Sequence, residues 1–94
     1  MTFNLKFDKR ALKEWNKLDT VVREQFKKKL AERLEHPIVN GSKVSGAENC
    51  YKIKLKAAGY RLVYQVVNDE VVVLVLVVGK RERNAIYKSA LNRV

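Results

Sequence analysis

Apolar and polar residues alternate over Thr2 to Phe7: Phe3, Leu5 and Phe7 are apolar, Asn4 and Lys6 polar, which predicts a half-buried strand. The period then changes. Asp8 stands where an N-cap belongs, and Ala11, Leu12, Trp15 and Leu18 recur behind it at helical spacing. Asp19 and Thr20 break this helix and can cap a second one, whose apolar stripe Val22, Phe26, Leu30 and Leu34 steps by four. His36-Pro37 ends it, because proline disfavours helical backbone in the residue before it. The two helices make an αα-hairpin.

Residues 38–48 form a loop rich in Gly, Ser and Asn. Three strands follow, at about 49–56, 60–67 and 71–78, separated by turn signals at Ala57-Ala58-Gly59 and Asn68-Asp69. The run Val71 to Val78 is apolar on both faces, so it belongs in the middle of the sheet. Gly79-Lys80-Arg81-Glu82-Arg83 breaks it, and a short helix over 84–93 follows, with Ile86, Ala90 and Val94 on one face. The pattern predicts one α+β domain over residues 1–94, in the order β-αα-βββ-α. Its sheet is antiparallel-dominated, with the N-terminal helical hairpin packed on one face and all or part of the other face open to a ligand.

Register decides what lies on that open face. Tyr51, Ile53 and Leu55 must point to the core, which turns Lys52, Lys54 and Lys56 outward. A two-residue Ala57-Ala58 turn sets Lys54 opposite Arg61 on the same face; a three-residue turn sends Arg61 to the other. Both registers are open at this level. A hairpin through Asn68-Asp69 pairs Val67 with Glu70 and puts Leu76 opposite Arg61. Gly79, Lys80 and Arg81 then emerge at the Lys56 end, with Arg83 beside them and Tyr87 about one helical turn on.

Composition narrows the chemistry. The formal net charge is +10, and it is uneven: residues 1–50 carry a net +4, residues 51–94 a net +6 with only three acids. That balance predicts an anionic partner. One cysteine, Cys50, excludes an internal disulfide, and one cysteine with one histidine cannot build a zinc site, so no metal and no cofactor are expected. No signal peptide is legible at the N-terminus, and the longest apolar run is far short of the about 20 residues of a membrane helix. A cytoplasmic protein with no membrane partner is the expectation.

Strand lysines can serve merely as a solvated, aggregation-resistant face. Here cations from three segments converge where acids are scarce and aromatics are interleaved. RNA recognition wants cations for phosphates and flat rings for unstacked bases. Trp15 reads as core, His36 as an exposed helix end, and Cys50 as a small buried hydrophobe with no partner to make it a nucleophile. Tyr51, Tyr60 and Tyr64 fall at the core or its rim, leaving Tyr87 as the tyrosine open to function.

Several motifs resemble the RelE toxins of RelBE type II toxin–antitoxin systems, in the RelE/ParE superfamily. They are Phe-Asp-Lys-Arg-Ala-Leu-Lys-Glu-Trp (7–15), Val-Arg-Glu-Gln (22–25), Lys-Lys-Lys-Leu (27–30), Cys-Tyr-Lys-Ile-Lys-Leu (50–55), Gly-Tyr-Arg-Leu-Val-Tyr-Gln-Val (59–66) and Val-Gly-Lys-Arg-Glu-Arg (78–83), followed by Tyr87. The resemblance implies a microbial-ribonuclease-like fold and a ribosome-dependent endoribonuclease that cuts mRNA in the ribosomal A site by 2′-hydroxyl attack on the adjacent phosphate. It implies Lys52, Lys54, Arg61, Arg81 and Tyr87 as catalytic residues; Lys56, Lys80 and Arg83 are expected as further RNA contacts. It also implies three partners: a RelB-like antitoxin, the ribosome with its 16S rRNA, and mRNA. Operator DNA would be reached only through the antitoxin, in an autoregulatory repressor complex. A non-catalytic nucleic-acid-binding module using the same basic face is the competing reading.

Within the implied site, Lys54 is the best candidate base, since neighbouring cations push a lysine toward its neutral form. Lys52 would assist that and bind phosphate. Arg61 offers a planar fork of donors to the phosphorane, Arg81 a hydrogen bond to the leaving oxygen, and Tyr87 a surface for a base.

Overall fold

A computed structural model describes residues 2–80 and 85–93. Residues 81–84 and 94 lie outside the described residues, so the expectations for Arg81, Arg83 and the Val94 end of the last helix fall outside them too. The elements are β1 (Asn4–Phe7), α1 (Lys9–Asn16), α2 (Thr20–Glu35), β2 (Cys50–Leu55), β3 (Tyr60–Val67), β4 (Val72–Lys80) and α3 (Ala85–Arg93). The sheet order is β1-β4-β3-β2; β1 runs parallel to β4 and the other pairs are antiparallel. The expected order β-αα-βββ-α holds, with the apolar β4 inside the sheet.

Both N-terminal helices start on aspartates. Asp8 accepts from the backbone N–H groups of Arg10 and Ala11, and Asp19 from that of Val21. α1 and α2 bury Ala11, Trp15, Val22, Phe26 and Leu30 against one sheet face, with Leu18 from the connection between them. Trp15 sits between Phe7 and Phe26, at ring-centroid distances of 5.2 and 6.4 Å. Leu12 differs from the expected stripe and is 44% exposed. It lies about 100° around the helix from Ala11, outside the narrow arc shared by Ala11, Trp15 and Leu18.

The second sheet face is not open throughout. α3 covers part of it, and Ala90, Ile86 and Tyr87 join Cys50, Val63, Leu76 and Val77 in a second apolar cluster. Val44, from the loop before β2, completes it, and a single antiparallel bridge between Lys43 and Tyr51 ties that loop to the β2 edge.

The β3–β4 register departs from the expected one. Val67 pairs with Val72, not Glu70, because the connection is a 3₁₀ turn over Asn68–Glu70 followed by Val71 in the left-handed region at φ 55°. β4 also carries one extra residue: Tyr64 pairs with Val75 and Val63 with Val77, leaving Leu76 without a partner on β3. The longer turn and the bulge together slide Arg61 from Leu76 to Gly79. The bulge also resets the alternation of β4. Leu76 and Val77 both join the α3 cluster, whereas Val75 and Val78 join the helical-hairpin core.

β1 ends opposite Val75, so the rest of β4 loses its neighbour on that side. Two side chains take over. Glu14 of α1 accepts from the Val78 N–H at 3.3 Å, and Arg93 of α3 donates to the Leu76 carbonyl at 2.8 Å. Arg93 also grips Glu14 through both nitrogens, at 2.8 and 3.2 Å. Arg93→Ala is expected to cost about 1–3 kcal/mol, since it strands a part-buried carboxylate and a carbonyl. Hydrogen exchange should show protection lost first in α3 and last in β3, with urea denaturation giving the magnitude.

Candidate RNA-processing site

The site is built on the β2–β3 hairpin. Leu55 pairs with Tyr60, and the turn between them closes through the Gly59 N–H donating to the Leu55 carbonyl at 2.9 Å, with Gly59 at φ +71°. A residue without a side chain suits that left-handed position. This is the register that places Lys54 directly opposite Arg61. Tyr51, Ile53 and Leu55 are buried on the helical-hairpin side, so Lys52 and Lys54 project from the other.

Two cross-strand rows therefore lie side by side: Lys54, Arg61 and Gly79, and Lys52, Val63 and Val77. Gly79 has a spatial reason to be glycine. A Cβ there would stand 3.2 Å from Ile86 Cδ1, so the bare backbone lets the first turn of α3 press onto the sheet. That approach brings Tyr87 over the hairpin, where Lys52 Nζ lies 5.6 Å from its ring centroid. Lys52 and Tyr87 share a cleft of about 360 Å³ with Val44, Ser45, Lys88 and Leu91.

Four of the five expected catalytic residues, Lys52, Lys54, Arg61 and Tyr87, thus fall on one face. Arg81 comes directly after Lys80, at the end of β4, and lies outside the described residues with Arg83. Lys56 sits in the β2–β3 turn, at the end of the Lys52–Lys54 row. Lys80 pairs with Tyr60, and Tyr60 packs against the helical-hairpin core, so strand alternation gives Lys80 the opposite face. His36 is the exposed C-cap of α2. Cys50 is fully buried, and burial pushes its thiol pKa up, which keeps it in the unreactive form.

Pattern reading missed Arg33. It lies on α2 between the apolar stripe and the charged face, and no motif marks it. Its Nη1 donates to the Tyr64 hydroxyl at 2.9 Å and to the Lys52 carbonyl at 3.3 Å, and its Nη2 to Ser42 Oγ at 3.3 Å. Burial pushes the Tyr64 phenol pKa up despite the adjacent Arg33 guanidinium. The phenol therefore stays protonated and donates to the Pro37 carbonyl at 2.6 Å. Arg33 in this way fixes the backbone that carries Lys52 to the helix behind it.

Comparison with known proteins places this geometry. Residues 5–85 match the family described as ParE toxin of type II toxin-antitoxin system, parDE. The chain is 56% identical over 94 residues to the mRNA interferase toxin RelE of Escherichia coli K12, covering 100% of this chain and 99% of that protein. The free-state structure of a double arginine-to-alanine mutant of E. coli RelE superposes with a TM-score of 0.92 at 54% identity, covering 100% of this chain and 99% of the other. A chain of the intact E. coli RelBE toxin–antitoxin complex superposes with a TM-score of 0.83 at 59% identity, covering 86% of this chain and 99% of that one.

Arg33→Met should destabilise the protein by about 1–3 kcal/mol, because it removes donors from a part-buried carbonyl and a buried phenol. Urea denaturation monitored by tyrosine and tryptophan fluorescence measures this. A change below about 0.5 kcal/mol would show that water replaces the guanidinium without loss.

Proposed function

The chain belongs to the ParE toxin family of type II toxin–antitoxin systems, in its RelE branch, and from that premise we propose a ribosome-dependent endoribonuclease that cuts message in the A site. It is a toxin of the mRNA-interferase kind, and its partner is a RelB-like antitoxin. The observation that carries the catalytic reading is the direct pairing of Lys54 with Arg61, beside the Lys52–Tyr87 contact.

Cleavage needs a proton taken from the 2′-hydroxyl, charge neutralised on the phosphorane and a donor at the leaving 5′-oxygen. Lys54 accepts the proton. Arg61, fixed by its strand opposite Lys54, directs its fork of donors at the phosphorane. Lys52 holds the phosphate from the neighbouring row, and Tyr87 carries a base of the codon on its ring. Arg81 donates to the leaving oxygen from just beyond β4; an arginine keeps its proton, so strong hydrogen bonding is the role that fits. Lys56 and Arg83 add phosphate contacts, and Lys80 binds RNA from the opposite side of the strand end. The products are a 2′,3′-cyclic phosphate and a 5′-hydroxyl, the leaving 5′-oxygen taking its proton from water and Lys54 returning the proton it accepted to solvent. Neither Glu nor His moves protons in this scheme, so positioning of the message by the ribosome supplies much of the rate. The antitoxin, rather than this chain, contacts operator DNA.

Primer extension on a translated message tests the scheme. Arg61→Ala should lower the single-turnover cleavage rate by roughly 10²–10³-fold while leaving the melting temperature and antitoxin binding unchanged. Lys54→Ala should flatten the rise of rate with pH. Wild-type rates in a folded Arg61→Ala protein would remove the site assignment. Ribosome binding with no cleavage by the wild type would make the protein a binding module instead. Free RNA cut as fast as ribosome-bound message would remove the ribosome's part.

A further inference from the structure

β2 is an edge strand, with β3 on one side. In an antiparallel pair every second residue turns its carbonyl away from the partner, so Cys50 and Lys52 present theirs to the same free edge. The loop before β2 takes the first, through the Val44 N–H at 3.0 Å. Its bridge to the strand, Lys43 with Tyr51, goes no further. Arg33 takes the next, donating from α2 to the Lys52 carbonyl at 3.3 Å. One side chain thus does the work of a neighbouring strand, at the residue whose ammonium meets the Tyr87 ring.

The acceptors explain why this residue is an arginine. The Lys52 carbonyl, the Tyr64 hydroxyl and Ser42 Oγ come from three segments, and all three are neutral. An ion pair is served by any cation. Three neutral acceptors spread around one point ask for a rigid planar fork of donors. Tyr64 passes the link on to the Pro37 carbonyl, so the same node fixes the chain where α2 ends. Ser42 closes a 3₁₀ turn over Asn40–Ser42, and Val44 and Ser45 just beyond it line the cleft that holds Lys52 and Tyr87. Arg33 therefore ties down both the strand and the loop that border this cleft, while lying outside its described wall. A small rotation of the edge strand is magnified at the end of the long, flexible lysine stem, so the hold on the carbonyl sets where the ammonium sits.

We infer that Arg33 is a positioning residue for cleavage, acting through the Lys52 backbone and the 43–45 loop to keep the Lys52 ammonium and the Tyr87 cleft in register. The inference rests on the function proposed above. Arg33→Met tests it beside Tyr64→Phe, which loosens the same node but leaves the bond from Arg33 to Lys52; thermal melts set a temperature at which both are folded. Arg33→Met should lower kcat on a translated message by roughly 10–100-fold, with KM for programmed ribosomes within about twofold of wild type. Tyr64→Phe should lose stability and keep its kcat. Methylguanidinium should recover the rate of Arg33→Ala severalfold, and ethylammonium, with the same charge and no fork, should not. An unchanged kcat in Arg33→Met would overturn the inference. So would equal losses in Arg33→Met and Tyr64→Phe, which would make the node purely structural. NMR of the free protein supplies a readout that involves no RNA: the Tyr87 ring current on the Lys52 ε-methylene should be lost in Arg33→Met and kept in Tyr64→Phe. An unmoved Lys52 signal in Arg33→Met would remove the positioning role even if the wild type cleaves; a wild type that does not cleave would remove the nuclease reading and leave this signal to be read.

Discussion

The extra residue in β4 is the constraint on which the rest of the molecule turns. An uninterrupted run of valines would alternate without a break and carry Gly79 to the helical-hairpin side. By inserting Leu76, the strand gives the α3 face two consecutive apolar contacts and returns Gly79 to that face, opposite Arg61. α3 can then close on Gly79, and Tyr87 reaches Lys52. The irregularity costs backbone partners, since β1 has already ended at that point. Glu14 and Arg93 replace them, so one ion pair caps the bulged edge and anchors the last helix.

The sheet thereby separates two jobs across its faces. The helical-hairpin face holds the aromatic core, with Trp15 against Phe26 and Tyr51 stacked on Tyr64. The other face is half apolar, under α3, and half cationic. Charge of one sign can be concentrated there because the stability comes from behind it. Lys52 shows the division within one residue: its carbonyl is fixed by Arg33 at the edge, while its ammonium lies over Tyr87.

Much of this was legible in the sequence, because periodicity reports burial directly. The helical stripe at Val22, Phe26 and Leu30, the inward Tyr51, Ile53 and Leu55, and the central placement of β4 all follow from it. Three features were not. An all-apolar strand gives no parity signal, so neither the bulge at Leu76 nor the slide of Arg61 to Gly79 could be read. The turn at Asn68–Glu70 looked like a two-residue hairpin because nothing about Val71 suggests a left-handed backbone, which a β-branched residue rarely adopts. Arg33, Glu14 and Arg93 look like solvated surface charges, and their roles depend on carbonyls and amides that only the tertiary structure leaves unpaired. Of the candidate site, the Lys54–Arg61 pairing hung on turn length, and the Tyr87 approach on a glycine whose reason lies in another element.

The Arg93–Glu14 pair joins the last helix to the first across a sequence separation of 79 residues. Closing so wide a loop costs chain entropy that the contact alone does not offset. β4 must already be paired and bulged before there is a Leu76 carbonyl and a Val78 N–H for the clasp to cap. Docking of α3 is therefore a late event in folding, and the approach of Tyr87 to Lys52 comes with it.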